Sequence, residues 1–213
     1  MGSSSDGILS IPIRFMHESL GLSPNQISWA GFVVGIAGAG LVASGSLMAG
    51  LIVMAVSQIL DGLDGGVARR YNLISPRGKT LEIVFDRLNE LAMFLALARA
   101  GYVTMGMVAL AFTAILLVTI GEHYSGFDPG FKRFMLYFGY LATVLFGIRG
   151  FQLAMHVIFI ANLTGFAAGT IMADYRLQKA VDDQAILRRS MEDAAGVTRQ
   201  PDDPPSFLSK LFS

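Results

Sequence analysis

The chain has 213 residues, 53% of them hydrophobic and 15% charged, and its 16 basic and 16 acidic side chains cancel to a formal net charge of +0. Neutrality excludes a global field that draws the protein to nucleic acid, and 0 cysteines exclude a disulfide framework, thiolate chemistry and a cysteine-bound zinc. The apolar share and a mean hydropathy of +0.55 exceed those of soluble domains and predict an all-α integral membrane protein.

Residues 8–20 interleave Leu9, Ile11, Ile13, Phe15 and Met16 with Arg14, His17 and Glu18. This predicts a short amphipathic helix lying in the membrane interface, with Pro12 leaving its start open. Ser23-Pro24-Asn25 then opens an apolar run from Ile27 to Gly45, enough for one helical span. A second run, Leu47 to Leu60, reaches spanning length only if its helix continues through Asp61–Arg69. Tyr71 to Lys79, with Pro76 and Gly78, reads as a connector. Further helices are predicted over Thr80–Ala100, Val103–Gly121, Phe131–Ile148 and Phe151–Ala173. The expectation is six transmembrane helices plus an N-terminal interfacial helix. Residues 1–24 form the interfacial segment, 25–176 the transmembrane catalytic domain and 177–213 a polar tail, whose Val181, Ile186 and Leu187 can start an amphipathic helix.

Gly31 with Gly35, and Gly165 with Gly169, give small-xxx-small faces for close helix contact. His156 and Asn162 in the last span read as interhelical hydrogen-bonding groups. Lys and Arg concentrate on one side of the predicted spans, including Arg69, Arg70, Arg77, Lys79, Lys132 and Arg133. The positive-inside rule makes that side cytoplasmic, with both termini inside.

The ends of the second and third predicted helices carry the chemistry. Asp61, Asp64, Gly65 and Ala68 recur at i, i+3, i+4 and i+7, one face of a helix. Gly78, Glu82 and Asp86 share a face of the next. Ionised groups at membrane ends are costly and read by default as functional. Two such faces meeting form a cage of hard oxygen ligands suited to Mg²⁺, Mn²⁺ or Ca²⁺ rather than zinc. A transporter path predicts acids spread through membrane depth, whereas these cluster near one side. A buried ion-pair network explains the acids and Arg69 but not Gly65, Ala68 and Gly78.

Written as a pattern, the stretch is D-x2-D-G-x2-A-R-x8-G-x3-E-x3-D over residues 61–86. It resembles the signature of the CDP-alcohol phosphotransferase family, from which it departs at one anchor: Glu82 stands where the family has aspartate. The resemblance implies transfer of a phosphatidyl-type group from a CDP-linked lipid (CDP-diacylglycerol or an archaeal ether analogue) to an acceptor hydroxyl, with release of CMP. It implies two divalent cations, Mg²⁺ or Mn²⁺ with Ca²⁺ as an inhibitory occupant, on Asp61, Asp64, Glu82 and Asp86. Asp86 is the implied general base. Arg69 offers a fork for a phosphate oxygen, Gly65 and Ala68 leave room for the nucleotide, and Gly78 lets the next helix begin close to it. Pro24-Asn25 matches a Pro-Asn that lies near the nucleotide in many members, although Asn25 can equally serve as a helix cap.

Glutamate at position 82 ligates the same kind of ion but carries its carboxylate about 1.5 Å further out. The expectation is an active enzyme with altered metal preference. Glu90, one turn beyond Asp86, either assists or faces Arg87 or Lys79. Lys132 and Arg133, with Arg77 and Lys79 nearby, tilt the acceptor toward a phosphorylated polyol such as inositol phosphate or glycerol phosphate. Serine, a lipid hydroxyl, or a catalytically silent lipid-binding relative are the alternatives. The resemblance also implies a homodimer among membrane lipids, which the glycine faces permit.

Overall fold

The computed structural model describes residues 6–125, 132–147 and 149–194. These form seven α-helices and no strand: α1 Asp6–Arg14, α2 Pro24–Ala43, α3 Leu47–Arg70, α4 Pro76–Arg99, α5 Met105–Ser125, α6 Phe134–Phe146 and α7 Gly150–Ala194. A single π-helical turn, Phe15–Ser19, extends α1 just past Pro12. The last part of the predicted polar tail, residues 195–213, lies outside the described residues.

Local chemistry sets the starts of the two helices that border the site. The Ser23 hydroxyl accepts the Gln26 amide at 3.4 Å, and the Gln26 side chain accepts the Ser23 amide at 2.8 Å. This capping box, with Pro24 in the first turn, makes Ser23 the cap and leaves Asn25 inside α2. The cap role considered for Asn25 is thereby removed. At α4 the Ser75 hydroxyl accepts the Gly78 amide at 3.0 Å and Pro76 occupies the first turn. The helix therefore begins ahead of Thr80, and Gly78 belongs to its first turn rather than to a connector.

The reversal between α3 and α4 is short. Asn72 takes the left-handed conformation (φ 54), and the Leu73 amide reaches back to the Ala68 carbonyl at 2.9 Å. Asparagine tolerates that region better than most side chains, and the bond closes a helix-end motif that turns the chain back on itself. The acid-bearing end of α3 is thus set beside the acid-bearing start of α4.

Glycines bring the backbones together. A methyl on Gly35 would sit 2.6 Å from the Asn89 side chain of α4, and one on Gly31 would sit 3.4 Å from Leu60 of α3. Gly38 and Gly50 face each other's backbones across α2 and α3. Gly165 and Gly169 are likewise buried. The α2 glycine face is consumed inside the chain, and the buried α7 pair is equally closed to a partner. Val42, Met54, Met93, Leu97, Ile115, Phe151 and Ile158 fill the core between α2, α3, α4, α5 and α7. At the N-terminus, Ile13 is buried against Gly66 of α3 while Ile11 and Phe15 stay exposed.

Among the described residues, four helices are long and apolar enough to cross a membrane: α2, α3, α5 and α7. The predicted count was six. The first fifteen residues of α4 carry Arg77, Lys79, Glu82, Asp86, Arg87 and Glu90, and α6 has only 13 residues. At 1.5 Å per residue α6 covers about 20 Å, short of a hydrocarbon core of about 30 Å. α7 does not stop at Ala173 but runs unbroken for 45 residues, and residues 174–191 are exposed. His156 and Asn162 do not bridge helices: they bond the carbonyls of Gln152 and Ile158 in their own helix at 2.7 Å each.

Candidate active site

Three cavities meet the acidic ends of α3 and α4. The first is an open cleft of about 710 Å³ whose wall includes Asn25, Asp64, Gly65, Arg69, Gly78 and Glu82. The second, about 670 Å³, is bordered by Asp61, Asp86, Arg87, Glu90, Lys132 and Arg133. A narrow crevice, with room for little more than a water molecule, has Ser28, Asp61, Glu82, Asp86 and Arg133 in its wall. The four acids of the sequence pattern therefore line one connected set of surfaces, with Glu82 shared by the first and third and Asp61 and Asp86 by the second and third.

Each wall has a local cause. Ala68 also lines the first cleft, where a larger side chain would occupy the space. A methyl added to Gly65 would lie 3.1 Å from an Arg69 guanidinium nitrogen, so the missing side chain lets Arg69 fold over the cleft. A methyl on Gly78 would lie 3.3 Å from the Asn25 Oδ1. Glycine there lets α2 and α4 approach at the mouth. Asp64, only 4% exposed, accepts a short hydrogen bond from the Ser28 hydroxyl, which fixes its carboxylate. Ser28 was missed in the sequence; its place one turn beyond Asn25 on α2 is the signal that points to it.

The second cavity is the more highly charged. The Arg133 guanidinium reaches three acids at once: it pairs closely with Asp86, lies 3.5 Å from Asp61 and 3.8 Å from Glu90. Burial works against the charge of this arginine, but Asp86, Asp61 and Glu90 outweigh it and hold its pKa above the ordinary value. Glu90, 3% exposed, faces Arg87 at 3.2 Å and not Lys79. Arg87 also donates to Thr119 of α5 at 3.2 Å. Lys132 is buried in the same wall, while Lys79 lies in the first cleft beside Glu82. The basic residues grouped together in the sequence thus divide between two cavities, and Arg77 borders neither.

The donor set suits hard divalent cations in kind, being all carboxylate oxygen on two facing helices. Among the described residues no three acidic or histidine side chains converge on one point. Arg133 supplies the positive charge between Asp61 and Asp86 instead. Cations on those two acids would replace its contacts with Asp61 and Asp86.

This assembly defines a polytopic helical membrane protein with an acid-lined site at the joined ends of two helices. The profile of CDP-alcohol phosphatidyltransferase matches residues 21–158, more than half of the chain, and the protein belongs to that family. The archaetidylinositol phosphate synthase of Methanothermobacter thermautotrophicus is 32% identical over 116 residues, 54% of this chain and 54% of that protein. The archaetidylinositol phosphate synthase of Pyrococcus horikoshii is 31% identical over 102 residues, 47% of this chain and 54% of its own length. The chain thus spans about half the length of these relatives, and 18% of a bifunctional IPC transferase and DIPP synthase from Rubrobacter xylanophilus, at 38% identity. In fold it is similar to the phosphatidylinositol phosphate synthase of Mycobacterium tuberculosis solved with CDP-DAG bound, with a TM-score of 0.64 over 76% of this chain and 92% of that one at 18% identity.

Proposed function

We propose that this protein transfers the phosphatidyl-type group of a CDP-linked lipid to a hydroxyl of a phosphorylated polyol and releases CMP. One observation carries the reading: the acids of α3 and α4 stand between two cavities of different character. The first has small residues and a single arginine fork, which suits a nucleotide diphosphate. The second is lined by buried Lys132 and half-buried Arg87 and Arg133, which suits an acceptor phosphate. Similarity to two archaetidylinositol phosphate synthases supports inositol phosphate as the acceptor.

In this reading Asn25, Gly65, Ala68, Arg69 and Gly78 hold the donor head in the first cleft. Asp61, Asp64, Glu82 and Asp86 hold two divalent cations, Mg²⁺ or Mn²⁺, whose charge neutralises the diphosphate and polarises the phosphorus under attack. Lys132 and Arg133 hold the acceptor phosphate. Asp86 takes the proton of the acceptor hydroxyl as its oxygen bonds to the phosphatidyl phosphorus. The bond from that phosphorus to the bridging oxygen breaks, and CMP leaves. An apolar groove between α3 and α6, lined by Ile59, Phe134 and Phe138, adjoins the second cavity through Gln58. It supports lateral entry of a lipid whose tails stay in the bilayer.

Positive-inside charge places the site and both termini on the cytoplasmic side, with six helices embedded and α1 on the interface. A homodimer has to use helix faces other than the two glycine pairs.

The test is CMP release from CDP-diacylglycerol by purified protein with Mg²⁺ or Mn²⁺, acceptors being added one at a time. Inositol phosphate or glycerol phosphate should drive release. Release with serine alone overturns the acceptor, and no release with any acceptor leaves a silent lipid-binding relative. Replacing Lys132 and Arg133 together by alanine should raise acceptor KM at least about tenfold, because charge-assisted bonds are lost, and leave donor KM unchanged. An unaltered acceptor KM removes the phosphate-binding role.

Glu82→Asp tests the departure from the family pattern. It should keep kcat within about tenfold while changing the ratio of Mg²⁺- to Mn²⁺-supported rates, since the carboxylate retracts by about 1.5 Å. An identical ratio means that Glu82 does not touch the cations.

A further inference from the structure

Glu90 lies outside the acid pattern, yet it is the most buried carboxylate of the site. It continues the Glu82–Asp86 face one turn deeper into α4 and is 3% exposed. Burying a lone carboxylate is costly, so its surroundings must compensate. Both its oxygens face cations at ion-pair range: Oε2 lies 3.2 Å from Arg87 Nη1, without forming a hydrogen bond, and Oε1 lies 3.8 Å from Arg133 Nε. Arg87 is held from its other side by Thr119, whose hydroxyl in turn donates to the Ile115 carbonyl at 2.8 Å. Glu90 is thereby tied to the frame of α4 and α5, whereas Arg133 enters from the start of α6.

From this we infer that Glu90 is the positioning residue of the acceptor cavity: it keeps the Arg133 guanidinium in place when divalent cations claim Asp61 and Asp86. The inference rests on the reading given under Proposed function. Arg133 has three acid partners, and two of them belong to the cation set. Glu90 is the partner that remains. With Asp61 and Asp86 turned to cations, Arg133 still faces Glu90 in a cavity whose wall also carries Arg87 and Lys132. A cavity wall with cationic side chains suits a phosphate monoester dianion. Without the Glu90 charge, Arg87 and Arg133 repel each other, and Arg133 is the one displaced, because Arg87 is held on α4 by Thr119.

The test compares wild type with Glu90→Gln and Glu90→Asp in equilibrium binding of inositol phosphate, with and without saturating Mg²⁺, alongside acceptor and donor KM. Glu90→Gln is expected to weaken inositol phosphate binding roughly tenfold with Mg²⁺ present, the scale on which an outer partner acts through the group it orients. Without Mg²⁺ it should change binding little, because Asp61 and Asp86 still hold Arg133. Donor KM should not move, and Glu90→Asp should recover part of the loss. A merely structural role predicts equal loss in both conditions and a shifted donor KM, and that result overturns the inference. So does wild-type acceptor affinity in Glu90→Gln. If Glu90→Gln does not fold, Glu90→Asp decides, since its shorter reach should still give a Mg²⁺-dependent loss. Failure here is separable from failure of the proposed reaction: the latter shows as wild type releasing no CMP, the former as wild type turning over with Glu90 variants that bind acceptor equally well.

Discussion

Asp86→Asn is expected to reduce turnover by roughly 10²–10⁴-fold, the range that a positioned general base supplies, while leaving binding of the CDP-linked donor near wild type. Asparagine keeps the volume and one acceptor oxygen but cannot take a proton. The donor head is assigned to the other cleft, whose wall does not include Asp86. The Arg133 guanidinium loses its closest partner but keeps Asp61 and Glu90, so the cavity wall should hold. Stopped assays at saturating donor and acceptor, with donor binding followed separately by a CDP-lipid displacement measurement, check both halves. Turnover within tenfold of wild type removes Asp86 from the proton-transfer step. Loss of donor binding in step with turnover assigns it to the nucleotide side instead.

Periodicity was sufficient to find the acidic faces, because residues three and four apart on a helix must share a side whatever surrounds them. The length of a bilayer span also required α3 to extend through Asp61–Arg69, as it does. What periodicity could not supply was the partner of each face. Arg133 is 72 residues from Asp61 in sequence, yet it sits between the acids of α3 and α4. The division of Lys79 from Lys132 is likewise a tertiary fact, since both are simply basic residues near helix ends in the sequence. The start of α4 was misplaced because Ser75-Pro76 has the composition of a loop and of a helix start alike. Only the Ser75–Gly78 bond decides between them.

The span count is legible only in part, for a related reason. Hydropathy measures composition, and α4 mixes a charged stretch up to Glu90 with an apolar one from Leu91 to Ala98. Lys79, Glu82, Asp86, Arg87 and Glu90 line the cavities, so the segment is polar where it meets the site. The glycine pairs show the opposite limit. Small-xxx-small spacing identifies a face that a backbone approaches, and at Gly31 and Gly35 that backbone belongs to the same chain.

Asp64→Asn is expected to cost about 10³-fold or more in kcat, on the order of 4 kcal/mol in the barrier, together with most of the Mn²⁺ affinity. Asp64 is buried to 4% exposure, and its carboxylate is held by the Ser28 hydroxyl. Asparagine preserves that hydrogen bond, because its Oδ1 accepts from Ser28 as the carboxylate does. The substitution therefore removes charge while keeping shape and packing, and a stability loss should be small. Mn²⁺ binding followed by electron paramagnetic resonance, with thermal unfolding as a control, separates the two contributions. Ser28→Ala provides the complement. It leaves the charge but releases its orientation, and should lower Mn²⁺ affinity 10- to 100-fold, roughly the effect of removing an outer-shell partner. If Asp64→Asn retains wild-type Mn²⁺ affinity and turnover, the residue is a buried hydrogen-bond acceptor joining α2 to α3, and the cations must rest on Asp61, Glu82 and Asp86 alone.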